Sequence, residues 1–285
     1  MKVERSSFGS SLVDAQPSLA AERLGIVSYT NVAPLHWGLS PWAGAEFVRG
    51  VPSELNRKLL VGEIDLTLMS SVEFLKHRRE LKALPDFSIS SLGPVYSVML
   101  FSWEPWERLD GKRVAVTTDS ATSVQLLKLL LEEDGIRAEL VPMAPDLGGM
   151  MARCDAALLI GDLALSEAVS RRSLGERRPL VTDLGESWYE RTRLPFTFAV
   201  WASPRDKPPS AFMVAKLRAA REAGLGHLAE VAEPEAERLG LSPAVVQRYL
   251  GNFRYYLESP DRDGLEAFAA RALPGYDGGL EFWNL

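Results

Sequence analysis

A chain of 285 residues with 46% hydrophobic content can bury a sizeable core, as one large domain or two smaller ones. Its formal net charge of −6 provides no basic face to neutralise phosphates, which argues against a general nucleic-acid binder. Cys154 is the single cysteine and His36, His77 and His227 are scattered, so no intrachain disulfide, thiolate cluster or zinc site is expected. No run of about 18 apolar residues is present, which excludes a transmembrane helix. Residues 1–23 carry Lys2 and Arg5 but are interrupted by Ser, Gly, Asp, Gln and Pro. They lack the apolar stretch of a secretory signal and predict a mobile tail on a cytoplasmic protein.

From there strand and helix patterns alternate. Residues 24–27 predict a buried strand that ends in Ser28, Tyr29, Thr30 and Asn31 and runs into an apolar helix start. Asn31 is placed to cap that helix, with Pro34 in its first turn. Strands are predicted at 46–49, 64–69, 87–91 and 95–102, with helices at 52–62 and 71–77 between them. After a break at 103–111, strands at 113–116, 138–141, 156–160 and 180–182 alternate with helices at 122–133 and 163–169. A buried strand at 196–202 precedes helices at 210–229, 233–239, 242–252 and 261–272. This alternation implies α/β architecture with largely parallel sheets. The breaks at 103–111 and 194–204 suggest a two-lobed fold with a ligand cleft between lobes. Residues 24–107 and 201–285 would form one lobe and 108–200 the other. A single doubly wound sheet with a helical extension stays open at this point.

Polar patches at strand ends are where α/β folds place ligands. In residues 28–31 a site and an ordinary capped turn read alike. Ser90, Ser91 and Ser97 surround a Gly-Pro turn. Residues 117–123, Thr-Thr-Asp-Ser-Ala-Thr-Ser, lead from strand to helix and form a natural cradle for a carboxylate or phosphate. Plain N-capping explains Thr122 or Ser123 but not the whole cluster. Gly161 and Asp162 end the strand at 156–160, and Asp162 suits an N-cap or a ligand contact equally. Residues 183–190 and 194–201 read as packing and crossover, closing one wall of the cleft.

Five segments in order carry a resemblance: Ser28-Tyr-Thr-Asn-Val-Ala-Pro-Leu, Ser90-Ser-Leu-Gly-Pro-Val-Tyr-Ser, Asp119-Ser-Ala-Thr-Ser, Ala157-Leu-Leu-Ile-Gly-Asp and Leu194-Pro-Phe-Thr-Phe-Ala-Val-Trp. Together they resemble the chorismate dehydratase family, whose reaction opens the futalosine route to menaquinone. The resemblance runs from about Leu24 to the C-terminus. It implies a two-lobed type II periplasmic-binding-protein-like fold, chorismate as the small-molecule partner, no cofactor, and neither nucleic acid nor membrane; a homodimer is compatible with it. Loss of water would give 3-[(1-carboxyvinyl)oxy]benzoate. Catalytic roles carry over onto Asn31 and Ser97. Ser28, Tyr29, Ser90, Ser91, Thr122, Ser123, Gly161 and Asp162 are the expected substrate-binding residues. Thr30 stands where the family usually has Leu, and Arg193 where it usually has Gly. His36, in an apolar helix start, reads as a packed residue. Two other readings stay open: a solute-binding protein without catalysis, and the dihydroxynaphthoate synthase of the same pathway, which shares the fold but uses a histidine base.

Overall fold

The computed structural model describes residues 21–170 and 173–285, so most of the predicted N-terminal tail lies outside the described residues. β1 (Glu22–Val27) is buried from Leu24 onward because it runs between two parallel neighbours, β2 (Ala45–Gly50) and β3 (Leu66–Ser70). A short 3-10 turn, Thr30–His36, follows β1. α1 (Pro52–Leu60), with Pro52 in its first turn, leads to β3, and α2 (Ser71–Lys76) leads to the long β4 (Leu81–Ser91). The chain then changes sheet. β5 (Val98–Ser102), β6 (Arg113–Thr117), α3 (Ala121–Glu133), β7 (Glu139–Met143), α4 (Leu147–Met151), β8 (Ala156–Ile160), α5 (Gly161–Ser170), β9 (Leu180–Asp183) and α6 (Leu184–Thr192) build the second lobe. β10 (Phe196–Pro204) returns to the first sheet, followed by α7 (Ala211–Gly226), α8 (Leu228–Leu239), α9 (Pro243–Gly251), β11 (Phe253–Arg254) and α10 (Ser259–Ala272). Among the described residues no helix is long and apolar enough to cross a membrane.

The first sheet has the order β11-β4-β10-β3-β1-β2 and the second β7-β6-β8-β5-β9. Both are mixed rather than largely parallel. β10 is antiparallel to β3 and β4, and β5 is antiparallel to β8 and β9, so each strand that crosses between sheets runs against its neighbours. The crossings lie at 92–97 and 193–195, not at 103–111 and 194–204. Consequently β5 belongs to the second lobe and all of β10 to the first. The Trp-Glu-Pro-Trp and Asp-Gly punctuation at 103–111 marks a turn between two strands of one sheet, since Pro and Gly report local turns and carry no information on sheet membership. The tail boundary also shifts, because Glu22 and Arg23 already belong to β1.

The inner strands of the second sheet, β6, β8 and β5, are buried on both faces and so read as continuous apolar runs. Val98 and Leu100 of β5 and Leu158 of β8 join the main core, while Met99, Phe101, Ala157 and Leu159 face a second cluster around Met150 and Leu147. The two lobes meet over aromatic rings: Trp188 of α6 is fully buried and lies edge-on to Phe196 of β10 and Phe268 of α10, centroids 5.4 and 6.0 Å away. α6 was expected only as packing around a crossover. Asp183 starts it by accepting the Gly185 and Glu186 amides, and Arg193, at φ 60, stops it in the left-handed region, where glycine carries no steric cost. α7 crosses the Thr30–His36 turn at close range. A Cβ on Gly224 would stand 2.1 Å from the Pro34 carbonyl oxygen, so only glycine lets the two backbones meet.

Asp65, buried just before β3, ties the start of β1 to the loop after β10. Its carboxylate accepts Arg23 Nη2 and Lys207 Nζ, both at 2.7 Å, and the Arg23 amide at 2.8 Å. Burial pushes its pKa up, but these donors outweigh it and hold the group below its ordinary value. Asp65→Asn should cost about 1–3 kcal/mol near neutral pH. A depressed carboxylate contributes stability above its unfolded pKa of about 3.9 and loses it as pH falls through the lower folded value. The gap between wild type and variant should therefore close in acid. Urea unfolding at about pH 7 and about pH 3 checks this, and an unchanged gap would contradict it.

Candidate active site

The carboxyl ends of β1, β3, β6 and β8 open on a cleft of about 480 Å³, within the usual range for a small-molecule site. Its walls come from both sheets: Tyr29, Asn31, Asn56 and Ser70 from the first lobe, and Asp119, Thr122, Ser123 and Gly161 from the second. Ser97 lies at the first crossing. The charged lining residues among those described are Arg57, Glu73 and Asp119.

Asn31 does not cap the turn that carries it. The turn starts at Thr30 with Tyr29 preceding it and no side-chain cap, which leaves the Asn31 amide directed elsewhere. Asn31 lines the cleft, and its Oδ1 is buried without a hydrogen-bond partner. An unpaired buried acceptor costs about 1–3 kcal/mol unless a ligand supplies the donor. Ser97 is 2% exposed, and its Oγ makes only a long 3.4 Å contact to the Val95 carbonyl. Its own carbonyl takes the Gly161 amide at 2.7 Å. The preceding residue, Tyr96, sits at φ 61, a left-handed conformation that costs a side-chain-bearing residue roughly 1–2 kcal/mol. Asp183 holds it there by accepting the Val95 and Tyr96 amides, the latter at 2.7 Å. Burial raises the Asp183 pKa, and the four amides it accepts pull against that. Strain of this kind is stored where surrounding structure over-determines it, here beside a cleft serine.

Tyr29 lays its ring against Gly161. Gly161 has φ +62, and a Cβ there would meet the ring at 3.6 Å, so glycine suits both the turn and the cleft floor. Burial, with Asp119 and Asp162 nearby, pushes the Tyr29 hydroxyl up to about 12, which keeps it a neutral donor. Thr122 and Ser123 line the cleft, but Ser120 is the N-cap of α3, accepting the Ser123 amide at 3.1 Å. Thr122 Oγ1 accepts the Val72 amide at 3.0 Å and so joins α3 to α2 across the lobes. Ser123 Oγ accepts from Ser120 Oγ at 3.0 Å.

Four expected site residues do not line the cleft. Ser28 is exposed at its edge. Ser90 is fully buried and shares a 2.9 Å hydrogen bond with Thr197 across β4 and β10, while Ser91 donates to the Gly93 carbonyl. Asp162 accepts the Thr30 amide at 3.1 Å and the Arg238 guanidinium at 2.7 Å. Arg238 also reaches Thr30 Oγ1 at 2.7 Å and Glu235 at 2.5 Å. That cluster spans the lobes and satisfies the fully buried Thr30 hydroxyl, which donates to Glu235. The chain thus accommodates a threonine where the resembling family usually has leucine. Asn56 was not anticipated. It sits on the buried face of α1 beside Leu55 and Leu59, donates to Ser70 Oγ at 3.2 Å, and leaves Oδ1 buried and unpaired. The usable signal was an amide on the apolar face of an amphipathic helix.

None of the three histidines lines the cleft; His36 is packed in the turn, where burial lowers its pKa. Among the described residues no group of three or more His, Cys, Asp or Glu is arranged to hold a metal ion.

A family model described as menaquinone biosynthesis matches residues 22–273. The chorismate dehydratase of Thermus thermophilus is 48% identical over 262 residues, covering 88% of this chain and 95% of that protein. The chorismate dehydratase of Campylobacter jejuni is 30% identical over 190 residues, covering 64% and 68%. The periplasmic aliphatic sulphonate binding protein SsuA of Escherichia coli shares the fold, with a TM-score of 0.61, 16% identity, and coverage of 89% of this chain and 86% of that one. The architecture is therefore the two-lobed periplasmic-binding-protein-like α/β fold, and the chain belongs to the menaquinone biosynthesis family.

Proposed function

We propose that the cleft dehydrates chorismate to 3-[(1-carboxyvinyl)oxy]benzoate, the reaction of a carbon–oxygen hydro-lyase acting in the cytoplasm. The observation that carries this reading is the meeting of Asn31 and Ser97 in one interlobe cleft, in a chain 48% identical to a chorismate dehydratase. The proton leaves the ring carbon that bears the enolpyruvyl ether, the hydroxyl leaves the neighbouring carbon, and both depart as one water. Aromatisation supplies the driving force, so the site needs mainly to orient groups and pass one proton.

The cleft is rich in hydroxyls and amides, and no histidine lines it, which favours a substrate-assisted route over a histidine base. The substrate's enolpyruvyl carboxylate accepts the ring proton. Asn31 and Ser97 hold that carboxylate and the leaving hydroxyl, and each well-placed donor contributes roughly 3 kcal/mol at the transition state. The head of α3, with the Ala121 and Thr122 amides, and Arg57 at the rim suit the ring carboxylate.

Incubation of purified protein with chorismate, followed by mass spectrometry for the aromatic product of water loss, tests the reading. Conversion is expected. Saturable binding of chorismate without conversion would instead identify a solute-binding protein, and no binding would overturn the substrate.

A further inference from the structure

Ser70 ends β3 at the cleft wall and stands just ahead of α2 as its N-cap residue, yet its side chain caps nothing. A serine in that place usually accepts an amide of the first turn. Here Ser70 Oγ accepts instead from Asn56 Nδ2, at 3.2 Å. Asn56 comes from α1, is 5% exposed and lines the same cleft. Its Oδ1 is buried with no hydrogen-bond partner. It lies beside Leu55 and Leu59 on the buried face of the helix, where an unpaired acceptor weakens the fold and an apolar side chain would suit better. Stability does not account for an amide at this position.

An amide nitrogen can only donate, so the bond from Asn56 fills an acceptor position on Ser70 Oγ and leaves the serine proton unspent. No other hydrogen bond among the described residues takes that proton. Val72, two residues on from Ser70, donates its amide to Thr122 Oγ1 at 3.0 Å. That bond sets the end of β3 against the head of α3, the part of the second lobe that suits the ring carboxylate. Arg57, the residue after Asn56, lines the cleft as well. A carboxylate accepts and does not donate. A serine can therefore serve it with its proton but not with its lone pairs.

Building on the dehydratase reading, we propose that Ser70 is a substrate-binding residue and Asn56 its positioning residue: the Asn56 amide holds Ser70 Oγ so that the serine proton meets the ring carboxylate. Asn56 acts through the serine, by deciding whether Ser70 offers the cleft a proton or a lone pair. The head of α3 grips the same carboxylate from the second lobe, while Ser70 reaches it from the first. One anionic group of the substrate thus ties the two lobes together across the cleft.

Steady-state kinetics on chorismate of Ser70→Ala, Asn56→Leu, Asn56→Asp and the double variant Ser70→Ala with Asn56→Leu tests this. KM should rise about tenfold in Ser70→Ala, the effect of one lost hydrogen bond, and about fivefold in Asn56→Leu. kcat should stay within about twofold, because a grip on a carboxylate acts on substrate and transition state alike. Leu is close to Asn in size and removes the unpaired acceptor, so the melting temperature of Asn56→Leu should hold or rise. Asn56→Asp should raise KM more than Asn56→Leu, since its oxygens take the serine proton and set a like charge near the ring carboxylate. In the Ser70→Ala background Asn56→Leu should raise KM no further, because its effect passes through the serine. Wild-type KM in Asn56→Leu, a milder effect in Asn56→Asp, or an equal further rise in the double variant would overturn the proposal while leaving the reaction assignment standing. A wild-type protein inert on chorismate would overturn both.

Discussion

Asn31→Ala and Ser97→Ala should each lower kcat on chorismate by roughly 10²- to 10³-fold, the effect of removing one preorganised donor from a developing charge. KM should move far less, because an interaction made mainly in the transition state leaves ground-state binding nearly intact. Neither variant should lose stability. Asn31 Oδ1 is already buried and unpaired, and Ser97 Oγ makes only one long contact, so truncation removes little that folding relies on. His36→Gln is the control. His36 packs in the same turn without lining the cleft, and its replacement should retain most activity. Near-wild-type kcat in both Asn31→Ala and Ser97→Ala, or an inactive but folded His36→Gln, would sink the substrate-assisted route.

Gly224→Ala should be among the most damaging single changes to the fold. One added methyl would overlap the Pro34 carbonyl at 2.1 Å, and that neighbour is backbone inside a 3-10 turn rather than a side chain free to swing away. Overpacking of this kind costs about 1–3 kcal/mol, which for a chain of this size lowers the melting temperature by several degrees. The displaced turn carries Asn31, so activity should fall further than stability alone explains. Thermal unfolding and kcat at a temperature well below the transition measure the two separately. A variant as stable and active as wild type would show that α7 can move away from the turn without consequence.

Much of the fold was legible because the central strands of both sheets are buried on both faces. Continuous apolar runs such as 156–160 and 196–202 admit few other readings, and both lie in strands of the structure. The lobe boundary was not legible. Gly and Pro at 103–111 announce a turn with the same signal whether the chain stays in its sheet or leaves it. The site divided for a similar reason. Asn31, Ser97, Thr122 and Ser123 line the cleft, but Ser90 looked the same in sequence and spends its hydroxyl on Thr197 instead. Strand residues on opposite faces are told apart by register, which depends on a partner far away in the chain. Asn56 escaped because a lone amide in Ser-Glu-Leu-Asn-Arg-Lys is easily counted with the polar face of its helix, whereas it lies on the buried one.

The position of β10 has a consequence for how the protein is made. It is not an edge addition; it lies between β4 and β3, antiparallel to both. The second sheet draws all its strands from one unbroken stretch, β5 to β9, and can close as soon as that stretch leaves the ribosome. β3 and β4 emerge earlier but have no strand between them until β10 is synthesised. During that interval their facing edges expose unpaired amides and carbonyls, the feature through which sheets associate wrongly. Early release, or a truncation before β10, would leave a finished second lobe attached to an open first one. The sheet that presents Asn31 is completed from its middle, and late.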